Sequence, residues 1–216
     1  NTPFPKFNVE LTGTNNQKKG GGRLDYQLSS KTRVMAKVSG GRLYEPFGLG
    51  SATGHPAATG TNQEYNDEYL GQITQVLSNR ALNEIRVGKA VFGLANENLT
   101  TWSNHWQKAN GITTGSPRIT FTTFSIAGNQ FFPRHQDQWV WNVRDDFTYS
   151  YNARGHHDLR LGGEFLHRHQ IQDNCRQCMG TIDARGGPTP ANIEALFPDP
   201  FNADTWNLAA ISSITR

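Results

Sequence analysis

The chain has 216 residues, of which 35% are hydrophobic and 18% are charged, and its net charge is +3. It contains no run of about 18 apolar residues, the length that a membrane-spanning helix requires. The basic residues are dispersed, so nucleic-acid binding is not expected. These values fit one sizeable domain. They leave a membrane β-barrel open, because half of each barrel strand faces a polar lumen.

Alternating apolar and polar residues predict strands in the first half of the chain, at residues 7–12, 23–28, 32–39, 69–77 and 83–94. Short polar turns join the second strand to the third and the fourth to the fifth, which indicates two hairpins. Residues 15–22, with the sequence NNQKKGGG, are predicted to form a turn or loop. Residues 40–68 contain no periodic segment and are predicted to be a long loop.

A second long connection follows at residues 95–138, with one short strand expected at residues 119–126. The strongest pattern of the chain comes next, because large apolar side chains occupy nearly every second position between residues 139 and 151. After a turn at residues 152–156 the alternation resumes. The pattern predicts a long antiparallel hairpin. Its apolar face consists of Trp139, Trp141, Val143, Phe147, Tyr149, Tyr151, Leu159, Leu161 and Phe165.

The two faces of this hairpin determine its register, because like faces align only when paired residue numbers have an even sum. A five-residue loop then pairs Tyr151 with His157. On the polar face the same register sets Arg144 opposite Glu164. The register is derived from the two faces alone, so this pairing of opposite charges is an independent check on it. Directly opposed opposite charges stabilise a strand pair by roughly 0.2–1 kcal/mol.

The length of the first hairpin strand indicates a membrane. A strand of a soluble protein usually has about five or six residues, whereas a membrane-crossing strand needs roughly 9–11. Trp and Tyr lie towards both ends of the apolar face, as in the aromatic girdles of outer-membrane barrels. A soluble β-sandwich or barrel with one long hairpin is the alternative. Asp145 interrupts the apolar face and argues against a membrane. Either a β-bulge at residues 144–146 turns its side chain inwards, or the face does not contact lipid.

Connection lengths alternate along the chain. Short turns are predicted at residues 29–31, 78–81 and 152–156, and long connections at residues 40–68, 95–138 and after 170. Outer-membrane barrels have this asymmetry, with short periplasmic turns and long extracellular loops. The sequence therefore predicts an all-β, antiparallel barrel with strand hairpins over residues 1–170 and an extracellular, loop-like segment over residues 171–216. Short helical turns are expected in that segment, at residues 190–197 and 204–211.

Few residues have a pattern suited to catalysis or metal binding. Cys175 and Cys178 form a single C-x-x-C in a polar segment, which favours a local disulfide over two free thiols. His167 and His169 share a strand face, but no third ligand is apparent, and packing at the membrane interface is the alternative. No enzyme activity, cofactor or metal is therefore expected.

The hairpin WNVRDDFTYSYNARGHHDLRLGGEFLHRH and the following NCRQCMGTIDARGGPTPANIEALFPDPFNADTWNLAAIS resemble TonB-dependent outer-membrane receptors. The similarity is greatest to the Oar-like group, which carries a carboxypeptidase-regulatory-like domain. The patterns LSNRALNEIRVG and HDLRLGGEF are similar to barrel hairpins of that family. The resemblance implies a bacterial outer-membrane location, a barrel of about 22 strands closed by a plug domain, and import of a scarce ligand. The implied partners are outer-membrane lipid, the rest of the barrel, the plug and a TonB-type energising protein.

No plug domain, TonB-contacting segment or closing strand is recognisable, so the chain is expected to be an internal piece of such a barrel. Its open edges would also pair with copies of itself. The alternative function is therefore a soluble or secreted β-sheet module with a structural or self-assembly role. In the receptor, ligand specificity is expected to lie in the long loops at residues 40–68, 95–138 and 171–216.

Overall fold

A computed structural model describes residues 10–49, 55–103, 111–129 and 131–211. The strands in these residues are Asn16–Ser29 (β1), Thr32–Leu49 (β2), Gly60–Ser78 (β3), Ala81–Asn98 (β4), Arg118–Thr120 (β5), Ser125–Ala127 (β6), Arg134–Asn152 (β7), His156–Asn174 (β8) and Thr181–Asp183 (β9). The six long strands form one antiparallel sheet in the order β1–β2–β3–β4–β7–β8, and β6–β5–β9 form a second, small sheet. The all-β fold with long antiparallel strands is the predicted one.

The three tight turns of the large sheet lie at one end of it. They occupy residues 30–31, 79–80 and 153–155, in agreement with the prediction. The last of them contains two residues with positive φ, Arg154 at 55° and Gly155 at 146°. Because consecutive long strands are antiparallel, the long connections after β2 and β4 and the segment after β8 all begin at the opposite end. The short strands β5, β6 and β9 belong to these connections.

The register of the β7–β8 hairpin is confirmed residue by residue. Tyr151 lies opposite His157 and Arg144 lies opposite Glu164. The guanidinium of Arg144, however, donates to the carboxylate of Asp146 on its own strand, with an Nε–Oδ2 distance of 2.6 Å. Glu164 instead accepts a hydrogen bond from the side-chain amide of Asn142. The opposed charges therefore lie on one face, but each has a nearer hydrogen-bond partner.

The strands extend further than the alternation of residues predicts. Residues 16–22 are part of β1 rather than a loop, and they pair with the β2 residues 38–44. The predicted loop at residues 40–68 is also mostly strand, because β2 continues to Leu49 and β3 begins at Gly60. Residues 16–22 are polar or glycine on both faces, and in the β2 extension Leu43, Tyr44 and Phe47 do not alternate with polar residues. Backbone hydrogen bonds continue the sheet there without a regular apolar face, so periodicity gives no signal.

The remaining segment predictions have mixed outcomes. Residues 119–126 form two short strands rather than one, because the chain reverses between Phe121 and Phe124, where the Phe121 N–H donates to the Phe124 carbonyl. The helical turns expected after residue 190 are present as short 3-10 helices at Ile193–Leu196, Ala203–Thr205 and Leu208–Ala210. Of the strand predicted at residues 7–12, residues 7–9 lie outside the described part, and residues 10–12 form no strand.

The expected bulge near Asp145 is absent. A bulge needs an extra residue in one of two paired strands, but β7 pairs one-to-one with both neighbours at this point. Asp145 lies opposite Ile85 on β4 and opposite Gly163 on β8. Its side chain therefore stays on the same face as Val143 and Phe147, and it is exposed.

The large sheet has no hydrophobic core of its own. Apart from Met35, the fully buried apolar side chains of the described residues lie outside the six long strands. The chain exposes 13800 Å², whereas a compact monomer of this mass exposes about 10,000 Å². No helix in the described ranges is both long and apolar enough to span a membrane.

Candidate functional site

The connections at the long end of the sheet fold together into one small unit, here called the cap. It comprises the described parts of residues 50–59, 99–133 and 175–211. All three connections contribute side chains to a single core, so none of them is an independent loop. The buried members of this core are Ala57, Ile119, Phe121, Ile126, Ala127, Ala184, Ile193, Phe197, Ala203, Trp206 and Ile211.

Aromatic rings form the centre of the cap. The ring centroids of Phe197 and Trp206 are 5.2 Å apart in an edge-to-face arrangement, which is favourable for two aromatic rings. The imidazole of His55 packs edge-on against both, at 5.4 Å from Phe197 and 6.0 Å from Trp206. Its Nδ1 accepts a hydrogen bond from the Ala57 N–H at 3.2 Å. His55 thereby anchors the first connection in the core that the third connection supplies.

Hydrogen bonds join the connections to each other and to the strand ends. The Ser103 N–H and hydroxyl donate to the carboxylate of Asp204 at 2.8–3.0 Å, across 101 residues of sequence. The Thr100 hydroxyl donates to the Ala57 carbonyl at 3.1 Å. At the end of β8, the Cys175 N–H donates to the Pro133 carbonyl at 3.0 Å. Cys175 is joined to Cys178 by a disulfide.

Two groups of the cap have strongly shifted pKa values. Burial lowers the pKa of His55 from 6.5 to about 4, because a charged imidazole loses its hydration there. The Arg185 guanidinium, together with the Arg185 backbone N–H, lowers the pKa of Asp183 to about 2. Asp183 therefore stays ionised over the range in which His55 would gain a proton in the unfolded chain.

The stability of the cap is expected to fall between pH 6.5 and pH 4. In this window the unfolded chain binds a proton at His55 and the folded cap does not, so acidification favours unfolding. The full effect is up to about 3 kcal/mol. The protection factors of the cap amides, in which each exchange rate is corrected for the intrinsic rate at that pH, are expected to fall on acidification in the wild type and to change much less in His55→Phe. An equal fall of the protection factors in both proteins would show that other groups govern the pH dependence.

The large sheet has one polar and one apolar face. On the polar face, side chains pair along and across the strands: Lys37 with Glu68 at 2.9 Å, Arg33 with Asp25 at 2.9 Å, and Arg144 with Asp146. The predicted apolar residues of β7 and β8 share the opposite face. Most of the large ones are strongly exposed, including Trp141, Val143, Leu159, Leu161 and Phe165.

Aromatic residues lie at both ends of this apolar face on β7. Trp139 and Trp141 lie at the cap end, and Tyr149 and Tyr151 lie near the tight turn. Ten residues separate Trp141 from Tyr151, which corresponds to roughly 24 Å along the membrane normal at a tilt of about 45°. An outer-membrane barrel has an apolar band of about 25 Å. The spacing of the aromatic residues thus matches the thickness of the membrane interior.

His167 and His169 lie beside the tryptophans at the cap end. The ring of His169 stacks on Trp139 at 5.1 Å, and the ring of His167 is 5.2 Å from the same indole. Within the described ranges, no three His, Cys, Asp or Glu side chains are grouped to hold a metal ion. The two histidines therefore pack with the aromatic residues at this level of the sheet.

An antiparallel sheet with long strands, one apolar face, tight turns at one end and long connections at the other has the architecture of the wall of a transmembrane β-barrel. The chain belongs to the outer membrane beta barrel domain family, whose model matches residues 2–205. It is therefore a protein of the bacterial outer membrane. This membership favours the barrel over a soluble β-sheet module. No curated protein matches the chain, and no solved structure does.

Asp145 lies midway between the aromatic ends of the apolar face, and its replacement by valine is expected to stabilise the protein in a bilayer. The substitution removes an acidic side chain from the lipid face, so the free energy of unfolding is expected to rise. The gain is expected to be up to about 2 kcal/mol, because an acidic side chain on the lipid face destabilises a barrel less than Arg or Lys does. Denaturant titration in lipid vesicles measures the effect. The control, Asp146→Val, is expected to destabilise, since Asp146 accepts the hydrogen bonds of Arg144. A loss of stability in Asp145→Val would indicate that Asp145 has a specific partner.

The residues that organise the cap escape the sequence patterns. His55 and Ser103 lie in irregular segments, where no period indicates burial, and the helical turn predicted at residues 204–211 does not indicate the contact of Asp204 with Ser103. The helical turn predicted at residues 190–197 includes Phe197, but it does not indicate contact with His55. The one local sequence signal for this region is the His-Pro pair at residues 55 and 56. A short 3-10 helix starts at Pro56, and the His55 side chain accepts a hydrogen bond from a backbone N–H in its first turn.

Proposed function

We propose that this chain is part of a TonB-dependent receptor, whose barrel takes up a ligand across the outer membrane. The cap is the observation that carries the proposal. Three connections, distant in sequence, share one hydrophobic core at the end of the sheet opposite the tight turns. Tight turns face the periplasm in barrels of this type, so the cap lies outside the cell. A folded external unit of this kind suits ligand capture better than a purely structural role.

A cleft at the junction of the cap and the strands supports this function. It has a volume of about 440 Å³ and lies between the ends of β4, β7 and β8 and residues 111–113. Glu97, His135 and Asp173 line it, and the His135 Nε2 lies 2.6 Å from the Glu97 Oε1. These side chains lie on the continuation of the apolar strand face towards the cap. The carboxylates and the imidazole suit a polar ligand that carries hydrogen-bond donors or positive charge.

The full-length receptor would have several partners. Outer-membrane lipid would surround the apolar face, and the rest of the barrel would pair with the free edges of β1 and β8. A plug domain would close the lumen that the polar face lines. A TonB-type protein in the periplasm would supply the energy for uptake. No catalytic role is proposed for the chain.

Depletion of compounds from the growth medium tests the proposal even though the ligand is unidentified. Cells with the protein, cells lacking it and cells lacking the TonB-type protein are grown in the same nutrient-poor medium. Mass spectrometry then measures which compounds disappear. The proposal predicts at least one compound that only the first strain removes. Equal depletion by all three strains would contradict it.

A variant of the cleft separates capture from energy supply. Glu97→Gln with Asp173→Asn removes both negative charges and keeps the size of the side chains. This double variant is expected to raise the ligand concentration needed for half-maximal uptake while the barrel remains in the membrane. The matched control, Glu68→Gln, removes a carboxylate from the polar face of β3 and is expected to leave that concentration unchanged.

A further inference from the structure

Lys89 is a basic residue of the apolar face at the cap end of its apolar band, and Lys18 and Arg42 lie on the same face further towards the cap. Lys89 on β4 lies opposite Tyr69 on one side and opposite Trp141 on the other. Its Nζ lies 5.3 Å from the centre of the Trp141 ring, a cation–π contact. In the described part of the chain, Lys89 forms no ion pair. Its charge is thus held by an aromatic ring and remains available to an anion.

A groove runs from Lys89 into the apolar band. Its volume is about 860 Å³, and Leu24, Ala36, Val38, Tyr69 and Val87 line it. Small residues form its floor. At Gly71, a Cβ atom would meet only the Val87 carbonyl oxygen, at 3.9 Å, so nothing fills the space above this glycine. The groove is thus apolar along its length and cationic at one end.

The carboxylate that lines the same groove does not compete for Lys89. Asp67 accepts two hydrogen bonds from the Arg42 guanidinium, at 2.7 and 2.9 Å. This bidentate pair compensates the charge of Asp67. The cationic end of the groove therefore keeps an uncompensated positive charge.

The height of Lys89 identifies the part of the bilayer that it meets. Lys89 is level with Trp141, and Trp141 belongs to the aromatic residues at the cap end of the band. Aromatic girdles lie at the level of the lipid headgroups. The amino group of Lys89 therefore lies among the headgroups of the outer leaflet, and the groove below it lies among the acyl chains.

We propose that Lys89 and this groove form a binding site for a lipid with an anionic, phosphorylated headgroup in the outer leaflet. The phosphate binds the Lys89 ammonium beside Trp141, and one acyl chain lies in the groove over Ala36 and Gly71. Charge complementarity selects the headgroup, because a zwitterionic lipid carries a positive group that Lys89 repels. The site fixes a lipid to the outer surface of the barrel, separate from the lumen and the cap.

Quenching of tryptophan fluorescence by brominated lipids tests the site. The full-length protein is reconstituted in vesicles that contain brominated phosphatidylglycerol or brominated phosphatidylcholine in equal proportions. The part of the quenching that Trp141→Phe abolishes reports lipid next to Trp141, because the chain has five tryptophans. The wild type is expected to prefer phosphatidylglycerol by about five-fold, the effect of one lysine near an anionic headgroup. Lys89→Met is expected to reduce this preference to about one, and Lys89→Arg is expected to retain it.

Lys19→Met is the matched control. Lys19 carries the same charge but lies on the polar face of β1, three positions nearer the cap than Gly22, the β1 residue in register with Lys89. This variant is expected to keep the five-fold preference. Equal preference in the wild type and in Lys89→Met would overturn the proposal, as would a wild type that does not discriminate between the two lipids. Quenching by phosphatidylcholine in every variant verifies that each protein is inserted.

Discussion

Replacing Phe147 with arginine is expected to prevent stable insertion of the protein into the outer membrane. Phe147 lies on the apolar face of β7, opposite Leu161 on β8. An arginine on the lipid side of a barrel costs roughly 2–4 kcal/mol near the midplane. The loss of buried aromatic surface adds to this cost. The fraction of protein that migrates as a compact, heat-modifiable species after extraction of the outer membrane measures insertion.

Thr148→Arg is the control for this substitution. Thr148 is the next residue on β7, so its side chain points to the polar face. An arginine there lies opposite Arg160, and two like charges directly opposed cost up to about 1 kcal/mol. This cost is below that of an arginine on the lipid face, so insertion is expected to stay close to that of the wild type. Normal insertion of Phe147→Arg, or equal loss in both variants, would contradict the assignment of the two faces.

Replacing Phe197 with alanine is expected to unfold the cap and leave the barrel in the membrane. Phe197 is 2% exposed and contacts the rings of both His55 and Trp206. Truncation of a buried phenylalanine costs about 3–5 kcal/mol, and a small unit rarely has much more stability than that. Limited proteolysis is expected to cleave residues 175–211 in the variant and to spare them in the wild type. Heat-modifiability is expected to be unchanged.

Phe165→Ala is the matched control for the cap. It makes the same change on the exposed face of β8, remote from the core of the cap, and is expected to leave the protease resistance of residues 175–211 intact.

The Phe197→Ala variant has a second expected effect: if the cap captures ligand, Phe197→Ala abolishes ligand depletion from the medium. A protease-resistant cap in Phe197→Ala would show that the barrel, and not the shared core, holds the three connections in place.

The sequence predicts the membrane-spanning part of the strands and not their extensions. In residues 139–151 one face meets lipid and the other meets a lumen, so the alternation of residue types follows the pleat and even fixes the register. Beyond the bilayer both faces meet water. Residues 16–22 then have the composition of a loop, although Gly20 and Gly40 lie opposite each other in a regular ladder. A backbone ladder needs no particular side chains, so composition cannot indicate it.

The cap shows a different limit. Its core joins Ala57, Ile119 and Phe197, which are more than 60 residues apart at each step. Each connection alone has too few apolar residues, and no regular period, to indicate burial. The core exists because the barrel brings the strand ends together. Local patterns therefore detect the short helical turns of the cap but not the contacts between its segments.

Asp145 is instructive because the sequence correctly marks it as an exception. The bulge inferred from it is wrong, since β7 keeps a one-to-one pairing on both sides. A bulge would be required only if no charged side chain could lie on the lipid face. Placing an aspartate there destabilises the folded barrel by less than the roughly 2–4 kcal/mol of a basic residue. A barrel that is stabilised by many strand pairs tolerates one such residue.

A spin-label scan of β7 tests the orientation of the sheet in the membrane most directly. Single cysteines replace each residue from Trp139 to Tyr151 in turn, with Cys175 and Cys178 kept as a disulfide, and each carries a nitroxide. Collisions with oxygen, which concentrates in the bilayer, are compared with collisions with a water-soluble nickel complex. We predict oxygen accessibility that alternates with a period of two, with maxima at odd positions and the greatest depth near residue 145. Absence of this alternation, or access of the nickel complex to Val143 and Phe147, would contradict the proposed orientation.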